Sequence, residues 1–240
     1  MSVYELCQLT RPEDVSVILK KRGLAEFVEK MGQRYPEALG IKVESGKDSE
    51  VFKWFLASIL FGAPITESSA MKTYRCFKKH GVLTPRRIVQ TGWDKLVRIL
   101  DEGSYTRYDY KTADKLLLVM TNLISRYGGS LNRLHQQASD SSDLEQRLLQ
   151  LGKGIGDITA SIFLRELREV WSKADPKPTP LVIEAARNMR IIRSETPEEA
   201  LRELKRFWNK RVIKDKSFVN FETALLRHGK ELRGKKSRER

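Results

Sequence analysis

With 240 residues, 40% apolar and 32% charged, the chain is long enough to bury a sizeable core in one large domain or two smaller ones. No apolar run is long enough to cross a bilayer, and the two cysteines, Cys7 and Cys76, match no metal-ligand spacing and no disulfide framework. Lys and Arg number 45 against 31 Asp and Glu, a formal net charge of +14. An excess of that size on a folded domain points to a polyanion, nucleic acid first, although basic thermophilic and ribosome-associated proteins share it.

The start, "MSVYELCQLTRPEDVSVILKK", lacks the basic start, apolar middle and cleavage site of a secretory signal, so a cytoplasmic protein is expected, nucleoid-associated in a prokaryote. Residues 11–35 read as two amphipathic helical stretches broken at Gly23, and Gly40–Lys47 as a loop or short extended piece. From Ser49, "SEVFKWFLASILFG" is an apolar helix buried on most sides. Pro64 ends that pattern, and a new helix follows with Thr66 as its cap and Gly81 as its close. "TPRRIVQTG" places a Thr cap before a proline at the first helical position. Two further helices, "WDKLVRILDEG" and "KTADKLLLVMTNLISRYGG", flank the Tyr-rich loop "SYTRYDY". "SSDLEQRLLQL" and "DITASIFLRELREVW" are helical around "GKGIG", and Pro176, Pro178 and Pro180 exclude helix from the segment "SKADPKPTP" that contains them. "LVIEAARNMRII" restarts helix, Thr196 and Glu199 predict a capping box, and "SFVNFETALLRHGK" leads into a basic tail read as a frayed arm or a solvated, disordered end. Ten or more helices with little strand predict an all-α fold with no fixed-period repeat.

The three glycines of Gly152–Gly156 cost about 1 kcal/mol each inside a helix. They therefore mark a corner between two helices, with Ile155 as an apolar peg. At such a corner the amides of Gly154 and Gly156 face outward at the start of a helix, where no side chain blocks a phosphate and the helix dipole favours its charge. Lys153 adds a cation beside the turn, and Thr159 a hydroxyl in the first helical turn. Packing alone also produces glycine-rich turns in helical bundles. Tyr105, Tyr108 and Tyr110 flank Arg107 and Lys111, a combination suited to base stacking and phosphate contact, with Tyr105 equally readable as core.

"KGIGDITASIFL" resembles the helix-hairpin-helix of the DNA glycosylase superfamily that contains endonuclease III and the 8-oxoguanine glycosylases. The motif elements stand as Lys153, Gly154, Ile155, Gly156, Thr159 and Ala160. The resemblance extends through "ASILFGAPITESSAMKTYRCF", through "ILDEGSYTRYDYKTADKLLLVMTNLISRYGG" and through "FETALLRHGKELRGKK", in the same order and over most of residues 51–236. It implies a two-lobed helical glycosylase fold. Residues 51–168 would form a helical barrel ending in the hairpin, residues 1–50 with 181–240 a second lobe, and 169–180 a Pro-rich connection. DNA would lie in the cleft between the lobes.

The departures fall where the family does its chemistry. The lysine of bifunctional members is replaced by Ile158, which predicts no lyase step of the usual kind. Fitting the loop after the hairpin to the family pattern puts Thr179 or Pro180 in the slot of the catalytic aspartate. Asp175, a few residues upstream, is the candidate carboxylate, with an exposed turn residue as its plain alternative; Glu184 is a weaker substitute. Lys173 and Lys177 are candidate nucleophiles at an abasic sugar, or simply solvated. Pro64 stands where many members carry a wedge glutamine, and an apolar wedge still opens a base step. No cysteine follows His228-Gly229, so the resemblance implies no iron–sulfur cluster, and His80, His135 and His228 have no zinc spacing. No cofactor and no metal are expected.

The resemblance thus implies a monomeric base-excision repair protein that binds damaged or abasic double-stranded DNA and flips a nucleotide. As an enzyme it would be a monofunctional glycosylase or an abasic-site-processing protein. The alternatives are a catalytically inactive lesion sensor or architectural DNA-binding protein, and a basic all-α RNA-binding protein.

Overall fold

The computed structural model describes residues 21–211 and 213–238, and every regular element among them is helical. The helical stretch expected over residues 11–20, and Cys7, lie outside that range. The chain divides into two compact units, one formed by residues 35–176 and the other by the flanking segments through Arg34 and from Lys177. The first described helix, α1 (Lys21–Met31), runs through Gly23 instead of breaking there. Burial of Leu24 and Val28 on one face outweighs the cost of a single helical glycine.

In the 35–176 unit, α2 (Tyr35–Ala38) and a 3-10 turn at Val43–Ser45 precede α3 (Asp48–Phe61), the buried centre of the unit. From Val51 to Leu60 every residue of α3 except Lys53 is buried, so this stretch buries all its faces rather than one stripe. It is followed by α4 (Glu67–Lys79), α5 (Pro85–Thr91), α6 (Trp93–Glu102) and α7 (Asp109–Tyr127). Thr66 and Thr84 cap α4 and α5 as expected, accepting the amides of Ser69 and Arg87 at 3.1 Å each. Next come α8 (Leu131–Gln137), α9 (Ser141–Leu149) and α10 (Asp157–Arg165). The Trp54 indole on α3 donates to the Phe163 carbonyl on α10 at 3.1 Å, and Phe55 meets Phe163 edge-on at 5.0 Å. These interactions fix the second hairpin helix to the core.

Helix α8 had no sequence expectation. Ser130 caps it through the Arg133 amide, and Asp48, at the start of α3, accepts both the Ser130 hydroxyl at 2.6 Å and the Asn132 amide at 3.0 Å.

The other unit packs α11 (Pro180–Asn188), α12 (Pro197–Asn209) and α13 (Phe218–Arg238) with α1. Phe221 of α13 stacks on Phe207 and Trp208 of α12. A Cβ at Gly229 would lie 2.4 Å from the Leu181 carbonyl oxygen, so the glycine of the "HG" pair is where α13 meets the start of α11. The backbone of α13 stays helical through Arg238, where a frayed arm or disordered tail was expected. The capping box at α12 is replaced by a bond from the Thr196 hydroxyl to the Glu199 carboxylate at 3.0 Å. Pro197 at the first position has no amide to satisfy, which lowers the need for a cap. None of the described helices is long and apolar enough to cross a membrane.

Candidate nucleic-acid interface

Helices α9 and α10 are joined by a turn at residues 150–156, in which the Ile155 amide donates to the Gly152 carbonyl at 3.1 Å. Ile155 is buried, and the residues around it are not: Lys153, Gly154 and Gly156 are all exposed. Gly154 has φ +101°, a conformation open to glycine and strained for any other residue. Gly156 is the N-cap of α10 in an extended conformation that any residue adopts, with open space where a Cβ would stand. Neither glycine's amide donates to a backbone acceptor among the described residues.

A fourth group belongs to this corner. A Cβ on Gly154 would come within 2.6 Å of Lys115 Cε, so the stem of Lys115, from the middle of α7, lies across the turn. Lys115 has no hydrogen-bond or ion-pair partner among the described residues, and burial pushes its ammonium pKa down. Sequence reading missed it because it lies far from the glycines along the chain. The first turn of α10 also carries an acidic residue, Asp157, exposed beside the corner.

Thr159 does not offer a free hydroxyl: it is 3% exposed and packs on the backbone of Gly62, where a Cβ would stand 2.2 Å from its Oγ1. That packing sets the bend at residues 62–65, with Pro64 exposed in it, beside the hairpin's second helix. Arg107 and Lys111 are exposed at the start of α7, with the Arg107 guanidinium 5.7 Å from the Tyr108 ring. Tyr105 is core, its hydroxyl donating to the Leu60 carbonyl at 3.2 Å. Tyr110 is 59% exposed and lies 5.2 Å from Trp93, whose indole donates to Asp114.

The loop after α10 is held differently. Arg168 is ion-paired with Asp175 and also donates to the Pro176 carbonyl. Lys173 donates to the His135 carbonyl at 3.0 Å, and Lys177 pairs with Glu198 at 2.6 Å. The His135 ring stacks on Trp171 at 4.7 Å, its Nε2 buried without a partner. Burial first, and the Lys173 charge second, lower the His135 pKa. Thr179 is the N-cap residue of α11, but its hydroxyl makes no cap bond and is buried without a partner. Ile158 stands 68% exposed in the first turn of α10. Among the described residues, no group of three or more His, Cys, Asp or Glu comes together to hold a metal ion.

No protein-family model and no curated protein matches the sequence. Among solved structures the chain is similar to that of the H. pylori 3-methyladenine DNA glycosylase MagIII bound to 1,N6-ethenoadenine, at 14% identity and a TM-score of 0.51. The match covers 77% of this chain and 85% of that one. At that identity the likeness is one of fold: the protein has the all-α fold of a helical DNA glycosylase.

Proposed function

We propose that this protein is a base-excision repair protein of the helix-hairpin-helix glycosylase superfamily that grips damaged or abasic duplex DNA at the hairpin and flips a nucleotide. The observation that carries this reading is the Gly154–Gly156 corner: two bare amides at a helix start, with Lys115 and Lys153 beside them. Backbone amides and cations at such a point fix the phosphate backbone without reading bases. Pro64 would enter the base stack, and Arg107 and Lys111 would add phosphate contacts.

As an enzyme the protein would be a monofunctional glycosylase. Asp175 would take a proton from water as the water oxygen bonds to the sugar C1′ and the bond from C1′ to the base breaks; its charge would offset the positive charge developing on the sugar. A lyase route is less well supported, because an amine that forms a Schiff base must be free and neutral. Ile158 is apolar, Lys173 donates to a carbonyl and Lys177 is ion-paired. The second reading, a lesion-binding protein without chemistry, draws on the Arg168–Asp175 pair, since a cation against a carboxylate cancels much of the charge it would offer a sugar cation.

An incision assay separates them. Duplexes bearing uracil, 8-oxoguanine, hypoxanthine, an alkylated purine or an abasic site are incubated with wild type and with Asp175→Asn. On the base-bearing duplexes, a break that appears only after alkali and is abolished in the variant is the expected result. Direct incision trapped by borohydride would restore the lyase route. Tight binding with no product from any duplex would leave the non-catalytic reading.

A further inference from the structure

A second strongly basic feature lies in the other unit. Arg190, Arg193, Arg206, Lys210 and Arg211 line one open concavity of about 320 Å³ at the ends of α11 and α12. None of the five has an ion pair among the described residues, although nearby arginines do: Arg187 pairs with Glu195 and Arg202 with Glu199. The one carboxylate lining the concavity, Glu203, already accepts the Arg193 amide at 2.8 Å and the Ser194 hydroxyl at 2.5 Å. Five like charges around one hollow repel one another, and Glu203, whose carboxylate is held below its ordinary pKa chiefly by its Ser194 and Arg193 hydrogen bonds and in part by the Arg193 charge, offsets only one of them.

Two of the cations are positioned at a cost or with support. Arg190 has φ +54°, in the left-handed position after α11 where glycine or asparagine is the usual choice. The Arg211 guanidinium lies over the Phe207 ring at 4.1 Å, which orders it before any ligand arrives. The C-terminal segment is also where the charge concentrates: residues 177–240 hold 18 Lys and Arg against 9 Asp and Glu.

We propose that this concavity is a phosphate-binding site that takes the phosphodiester backbone of DNA at a place separate from the hairpin. The inference rests on the DNA-binding reading above for the identity of its ligand; free phosphates share the chemistry and are distinguished by the test.

The experiment measures duplex binding by fluorescence anisotropy across a salt series for the full chain. The proteins are wild type, Gly156→Asp, and the triple variant Arg193→Gln/Arg206→Gln/Lys210→Gln, with thermal unfolding as the fold control. Withdrawing one cation from a phosphate should lower the salt slope by about 1, so the triple variant should fall by about 2–3 in slope while Gly156→Asp weakens binding independently. Lys210→Glu alone serves if the triple variant unfolds, with a slope reduced by about 1–2. Wild-type affinity and slope in the pocket variants, beside weakened Gly156→Asp, would overturn the pocket and leave the hairpin reading standing. Weakened binding in the pocket variants with Gly156→Asp unchanged would do the reverse. Binding of pyrophosphate that disappears in the triple variant, at concentrations that leave duplex binding untouched, would assign the pocket to a free phosphate and overturn the DNA assignment.

Discussion

At the hairpin, Gly154 and Gly156 keep their amides bare, and Lys115 and Lys153 have no partner among the described residues, whereas each of the three charged side chains in the segment 172–180 is engaged. Asp175 is held by Arg168, Lys173 by a carbonyl and Lys177 by Glu198. Unsatisfied donors at an exposed turn cost little while water serves them, and they are available to a phosphate at once. Charged groups tied into pairs stabilise their own loop and must be released, or act through their partner, before they do chemistry. In the proposed reading, the candidate phosphate-binding groups of the hairpin are open to a ligand, whereas the candidate carboxylate and amines are already engaged.

That contrast is tested most strongly by Gly156→Asp. The extended backbone at Gly156 and the open space around it admit a side chain, and Asp is a better N-cap than Gly by a few tenths of a kcal/mol. Stability should hold or rise slightly while duplex affinity falls at least about tenfold, which is about 1.4 kcal/mol. Affinity unchanged in a folded variant would remove the hairpin from the interface.

Gly62→Ala comes next. Its Cβ would meet Thr159 Oγ1 at 2.2 Å and the Ser58 carbonyl at 3.3 Å, and overpacking of that kind costs about 1–3 kcal/mol. The expected readout is a lower Tm, partly restored by a second change, Thr159→Ala. A double variant no more stable than Gly62→Ala would place the strain elsewhere.

Ile158→Lys tests whether the slot in the first turn of α10 lies at an abasic sugar. A lysine amine there would attack C1′ and form an imine as water leaves, giving an adduct that borohydride traps. Its charge should also raise the salt slope by about 1. Stronger binding without any trapped adduct would put the sugar out of reach of this helix.

Legibility in the sequence depends on separation along the chain. The caps at Thr66 and Thr84, the glycine corner and the helix-free proline segment are local events, set by residues within a turn of each other, and each follows from side-chain chemistry. The burial of Thr159 does not, because its partner Gly62 lies in an earlier helix connection that only the fold brings near. Lys115 over Gly154 is likewise a product of packing, and so is Arg168 against Asp175. Gly23 shows the opposite case: the local helix penalty is real, and burial of Leu24 and Val28 overrides it.

The weakest effect probes the closed half of the contrast. His135 stacks on Trp171 just before Lys173 and Asp175, and its pKa lies below the ordinary 6.5. Above pH 6.5 the ring is neutral whether the chain is folded or not. Below it the unfolded chain takes up a proton that the folded chain resists, so stability falls as pH drops through 6.5 toward the folded value. His135→Phe keeps a ring against Trp171 and removes the proton. Between about pH 7.5 and 5 the wild type should drop further in Tm than this variant, by less than the roughly 2–4 °C that 1 kcal/mol moves a domain of this size. Parallel curves would mean that His135 charges without disturbing the loop, and that the engagement of Asp175 and Lys173 does not depend on the stacked ring beneath them.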